Sequence, residues 1–171
     1  MKKWNLLLVL VLSLALSLTF IGCDDDDDDD DGPTGPTETF EDMMVGTWFS
    51  GGDDVAPLLI QLQIDSVRVT FNDDNTVDLD QHITGGAWVS NTGTWGIVES
   101  DGDIHEFTAT YDNPSFTQEG IIMIDESEDP DMMQLEVVQT NPDIGAEVPT
   151  VDGGFGSTAI GDINVQTYRK Q

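Results

Sequence analysis

Val67-Arg68-Val69-Thr70-Phe71-Asn72-Asp73-Asp74-Asn75-Thr76-Val77-Asp78-Leu79-Asp80-Gln81-His82-Ile83 decides the fold. Val67, Val69 and Phe71 alternate with Arg68 and Thr70, and Val77, Leu79 and Ile83 alternate with Asp78, Asp80 and His82. Apolar residues that recur every second position line one face of a strand, because successive side chains of an extended chain point to opposite sides. Asn72 to Asn75 is a run of turn formers between the two alternating segments, so the stretch reads as a β-hairpin with one buried face.

The same pattern continues outward from this hairpin. Thr47 to Ser50, Gly93 to Glu99, Ile104 to Tyr111, Ile121 to Ile124, Met133 to Thr140 and Ile163 to Tyr168 read as further strands. Leu58 to Ile64 reads as a strand, or as a short helix or lid beginning at Pro57. Asp101-Gly102 is the sharpest hairpin signal, Asn113-Pro114 marks another turn, and the Gly-, Pro- and Asp-rich Asn141 to Ser157 reads as a loop. No helical period competes. About eight strands at hairpin spacing predict an all-β domain, an antiparallel up-and-down barrel or a β-sandwich.

Ahead of this domain lie two segments of different character. Lys2 and Lys3 precede an apolar run from Leu6 to Ile21 that ends at Gly22-Cys23, the layout of a signal peptide over residues 1–22. The run is too short for a membrane span. Residues 23–39 hold eight consecutive aspartates, Asp24 to Asp31, and then Gly32-Pro33-Thr34-Gly35-Pro36-Thr37, with no apolar residue in either run to offset the entropy of folding. They read as an extended tether, and Asp24 to Thr39 spans about 50 Å at full stretch. The β-domain takes residues 40–171.

The charge balance excludes one class of partner. From Cys23 on, 34 Asp and Glu face only Arg68, Arg169 and Lys170, a formal charge of −31. Nucleic acid and anionic headgroups require Lys and Arg to replace their counterions, so this surface repels them. A lone cysteine rules out an intrachain disulfide, and stability has to come from packing.

Two resemblances follow from these residues. Phe20-Ile21-Gly22-Cys23 resembles the bacterial lipobox, with Phe20 where an aliphatic residue is usual. The resemblance implies that Cys23 is lipidated and becomes the mature N-terminus, anchoring the chain to a membrane of the bacterial envelope. The aspartates after it resemble surface-export signals of Bacteroidetes-type lipoproteins, which implies the outer membrane or cell surface, whereas Asp24 directly after the cysteine also resembles an inner-membrane retention signal of enterobacteria; the first is the favoured expectation. Val45-Gly46-Thr47-Trp48, Phe71 to Val77 and Gly93-Thr94-Trp95 look like the lipocalin-like domains of bacterial lipoproteins, which are small antiparallel barrels, and Gly46 to Ser50 also resembles avidin-type barrels.

Candidate chemistry is sparse. His82 and His105 are the only bases of the usual kind, neither lies in a nucleophile motif, and no enzyme is expected. Asp78, Asp80 and His82 share a strand face that reads as water-facing, and His105 shares one with Phe107, Ala109 and Tyr111 that reads as core or barrel mouth. Trp48, Trp88, Trp95, Phe107 and Tyr111, with Phe71, are the residues expected to fill the interior or to line a ligand cavity. Asp73, Asp74, Asp101 and Asp103, on two turns, together with the acidic run Asp125 to Asp129, are the candidate Ca²⁺ ligands, without the spacing of an EF-hand. No other cofactor is expected. The sequence therefore leaves three readings open: a non-enzymatic surface module that binds a protein or glycan, a carrier of a small apolar ligand, and a calcium-dependent structural or adhesion module.

Overall fold

The computed structural model describes residues 38–98, 100 and 102–171. Cys23, the signal peptide and residues 23–37 of the tether lie outside them, as does Asp101. Eight antiparallel strands close into one barrel in sequence order: β1 (Gly46–Gly51), β2 (Ile64–Phe71), β3 (Thr76–Ile83), β4 (Trp88–Val98), β5 (His105–Asp112), β6 (Ser115–Asp125), β7 (Met132–Asn141) and β8 (Gln166–Lys170). Each strand pairs with its successor, and Trp48 and Phe49 of β1 pair with Lys170 and Arg169 of β8 to shut the ring. The barrel expectation holds and the sandwich alternative falls. Closure leaves no sheet edge for another chain to extend.

The alternation read from the sequence sets which side of the wall each residue takes. On β5, His105, Phe107, Ala109 and Tyr111 are buried while Glu106, Thr108, Thr110 and Asp112 face water. On this strand polar side chains thus occupy the outer row and mainly apolar ones the interior. The β2–β3 hairpin turns as expected: Asn75 adopts φ +62, which Asn tolerates, and Asp74 accepts from both the backbone and the hydroxyl of Thr76.

One end of the barrel is closed by α1 (Phe40–Met44). Thr39, placed by composition in the tether, is the N-cap of this helix: it accepts from the Asp42 amide, and the Asp42 carboxylate takes the Thr39 amide in return. Phe40 packs on His105 with ring centroids 3.9 Å apart, and Met44 is fully buried. The 72–75 turn, the connections 99–104 and 126–131, and the C-terminus lie at this closed end.

Of the two readings at Pro57 the helix holds and the strand falls: Pro57 opens α2 (Pro57–Gln61), since proline at the first helical position has no amide to leave unpaired. Two expectations need correction. Between the end of β4 at Val98 and the start of β5 at His105 the chain is longer than a two-residue turn, and Ser100 is tied into it: its hydroxyl donates to the Ile104 carbonyl and accepts from the Gly102 amide, while its own amide donates to Nδ1 of His105. The last strand starts at Gln166, after a 3-10 turn at Gly161–Asn164.

The long connection 142–165 is a strap that folds back over the outer face of β6 and β7. Beneath it Ile121 and Glu136 are fully buried, although both stand on the outer row. The Glu136 carboxylate accepts from the Gly156 amide at 2.7 Å and from the Thr158 hydroxyl at 3.3 Å, and Asn164 donates to the Val137 carbonyl. Gly156 has φ +71, a conformation that glycine adopts without strain.

Candidate functional site at the open end

At the end opposite α1, the β1–β2 connection folds over the barrel mouth. The Ala56 amide donates to Oε1 of Gln166 at 2.7 Å, and Nε2 of Gln166 donates to the Ser50 hydroxyl. This one buried glutamine ties the lid to β1 and β8. α2 turns Leu59 toward the interior and leaves Ile60 and Leu62 in water.

Under the lid lies a cavity of about 80 Å³. Its walls are apolar side chains such as Val67, Val69 and Leu135, but six polar ones converge on it: Gln81, Gln118, Asn164, Gln166, Tyr111 and Tyr168. No charged side chain lines it. The space is well below the roughly 300–1,000 Å³ of pockets for drug-sized ligands. It suits a few waters or one small neutral hydrogen-bonding group, whereas a charged group would lose its hydration with nothing to replace it.

Tyr111 and Tyr168 are the only tyrosines in the chain. Burial pushes both phenols far above their ordinary value, and Tyr168 is raised further by Tyr111 beside it. Raised values in the folded state mean that the fold holds protons the unfolded chain would release. Their contribution is fully present below about pH 10 and is lost as pH rises beyond it. Absorbance at 295 nm is therefore expected to show no phenolate at pH 10.5 while the domain stays folded. Both tyrosines should then ionise together with unfolding; a smooth titration near pH 10 in folded protein would refute the buried placement.

Phe107 and Tyr111, both expected to face a ligand, line this cavity. Trp48 and Trp95 do not. Trp48 Nε1 donates to the Met44 carbonyl at 2.8 Å, and Trp95 Nε1 to that of Asn72 at 3.3 Å, which fixes both indoles near the closed end as packing. Trp88 lies outside the barrel altogether, 43% exposed, with its ring near His82 and the Arg68 guanidinium. Counting by twos from Trp95 puts Trp88 with Ser90 and Thr92 on the outer row, a signal present in the sequence. Gln81 was equally legible, in register with inward Val77 and Leu79. Tyr168, Gln118, Asn164 and Gln166 reach the cavity only through barrel closure and the strap.

The candidate metal ligands are dispersed. Asp73 and Asp74 sit on the β2–β3 turn and Asp103 on the β4–β5 connection, and no three His, Cys, Asp or Glu side chains converge among the described residues. On the outer face, Asp80 is taken up by Arg68 at 2.6 Å and by Ser90, whose hydroxyl and that guanidinium hold its carboxyl below the usual range. His82 pairs with Asp65 at 2.6 Å. The chain matches no family model, no curated protein and no solved structure.

Proposed function

We propose that the chain is a non-enzymatic binding module of the bacterial cell envelope, lipid-anchored through Cys23 at the outer membrane or cell surface, which meets its partner with the open end of the barrel. One observation carries this reading. Among the described residues, seven large apolar side chains are exposed, and six of them, Ile60, Leu62, Trp88, Val89, Ile144 and Ile163, belong to the lid, the β3–β4 corner and the two ends of the strap. All of these connections are at the open end. Exposed apolar side chains gathered on one end of a domain mark an interaction surface, whereas singly scattered ones do not.

The described chain enters the domain at α1, on the closed end, and leaves the open end uncovered by that helix. The small, polar-lined cavity favours recognition of a neutral polar group over carriage of an apolar molecule. A photo-crosslinking residue placed at Leu62 in cells making the chain is expected to yield defined adducts, and the same residue placed at Asp73 on the closed end is expected to yield none. Adducts of equal yield at both positions, or none at Leu62, would count against the reading.

A further inference from the structure

The strap does not lie flat on the wall along its whole length. Val148, Pro149 and Thr150 stand off from β4, β5 and β6 and leave a groove of about 470 Å³ between them and the strands, within the size range of ligand pockets. Strand register sets its floor. Gly96 lies opposite Thr108 and Thr108 opposite Glu119; one step along, Val98 lies opposite Glu106 and Glu106 opposite Ile121. Glu106 and Glu119 are therefore diagonal neighbours on one face, about 7–8 Å apart. Both are exposed, and Val98 beside them is 63% exposed. Gly96 keeps the floor open: a Cβ there would meet only Thr108 Cγ2, at 3.7 Å.

The distribution of cations makes this groove distinctive. The described residues hold three, on β2 and β8, and each is already engaged: Arg68 with Asp80, Arg169 with Glu128 and Asp54, Lys170 with Asp131. β4, β5, β6 and the strap contain no Lys or Arg. Two carboxylates thus share a concave surface with apolar walls and no counter-charge, where an arriving cation gains more than it would on open surface because the walls lower the effective dielectric. A closed barrel offers no edge for an added strand, so recognition has to run through side chains.

We propose that this groove docks an extended segment of a partner protein in which one lysine or arginine is flanked by apolar residues. The cation sits between Glu106 and Glu119, and its apolar neighbours lie against Val98, Val148 and Pro149. The surface is separate from the open end, so its test is independent of the crosslinking experiment.

The test uses the full chain in detergent and a fluorescein-labelled, capped peptide Val-Leu-Arg-Leu-Val, followed by anisotropy. Wild type is expected to bind the peptide, and replacing its arginine by norleucine is expected to abolish binding. The double variant Glu106→Gln with Glu119→Gln should weaken binding at least about tenfold, consistent with loss of the acceptors of a charge-assisted contact. A control that removes the same charge elsewhere, Asp73→Asn with Asp78→Asn, should bind within about twofold of wild type by the same scale. Equal weakening in the two double variants would reduce the effect to bulk attraction by an acidic surface and overturn the proposal. Absence of binding by wild type at millimolar peptide would overturn it as well.

Discussion

Gly120→Ala is expected to cost the domain about 3 kcal/mol or more, and Gly93→Ala a comparable amount, because neither site has room for a methyl group. A Cβ at Gly120 would stand 2.0 Å from the Glu136 carbonyl oxygen and 2.8 Å from Val137 Cα; one at Gly93 would stand 2.0 Å from the Thr110 carbonyl oxygen and 2.8 Å from Tyr111 Cα. In both cases the obstacle is the backbone of the neighbouring strand, which is held by its own ladder and has no rotamer to change. The two glycines permit the close strand approach that bends the sheet into a small barrel. Gly96, also on β4, supplies the contrast, since its nearest neighbour is a side-chain methyl at 3.7 Å. Gly96→Ala should be neutral or slightly stabilising through the unfolded state. Urea unfolding of the three variants reads the difference, and midpoints for Gly93→Ala and Gly120→Ala that stay near wild type would show that the barrel does not close as described.

Cys23→Ala is expected to abolish incorporation of labelled palmitate and to move the chain from the membrane fraction to the soluble one. The expectation follows from the lipobox resemblance and from the energetics of acyl anchors. Each buried methylene contributes about 0.8 kcal/mol, so one chain holds a protein only reversibly while several hold it effectively for good. Among the described residues no helix is long and apolar enough to cross a membrane. Wild type that takes up no palmitate would remove the lipid anchor. A Cys23→Ala chain that stays membrane-bound with residues 1–22 uncleaved would point to retention by its apolar leader instead.

Much of the barrel was readable because its wall is a half-buried surface. The period-two pattern of Val67 to Ile83 gave both strands and the turn between them, and His105, Phe107, Ala109 and Tyr111 fell on the interior side as their spacing required. The tryptophans were harder. Large aromatic residues near a predicted cavity suggest a ligand site, but Trp48 and Trp95 are tied to backbone carbonyls at the closed end, and parity alone sends Trp88 outside.

The sequence by itself determined the all-β class, the order of most strands, the strongly acidic balance and the expectation of a lipidated cysteine. Each of these depends on neighbours in the chain or on composition. Only the tertiary structure decided that β1 meets β8, that Gln166 from the last strand holds the lid over the first, and that the strap buries Glu136 and stands clear of β4 to β6 to form a groove. Those contacts join residues separated by much of the chain, and the Gly-, Pro- and Asp-rich strap has no period to show which surface it will cover. Their partners are fixed by the closure of the barrel, a property of the whole sheet that no local pattern encodes.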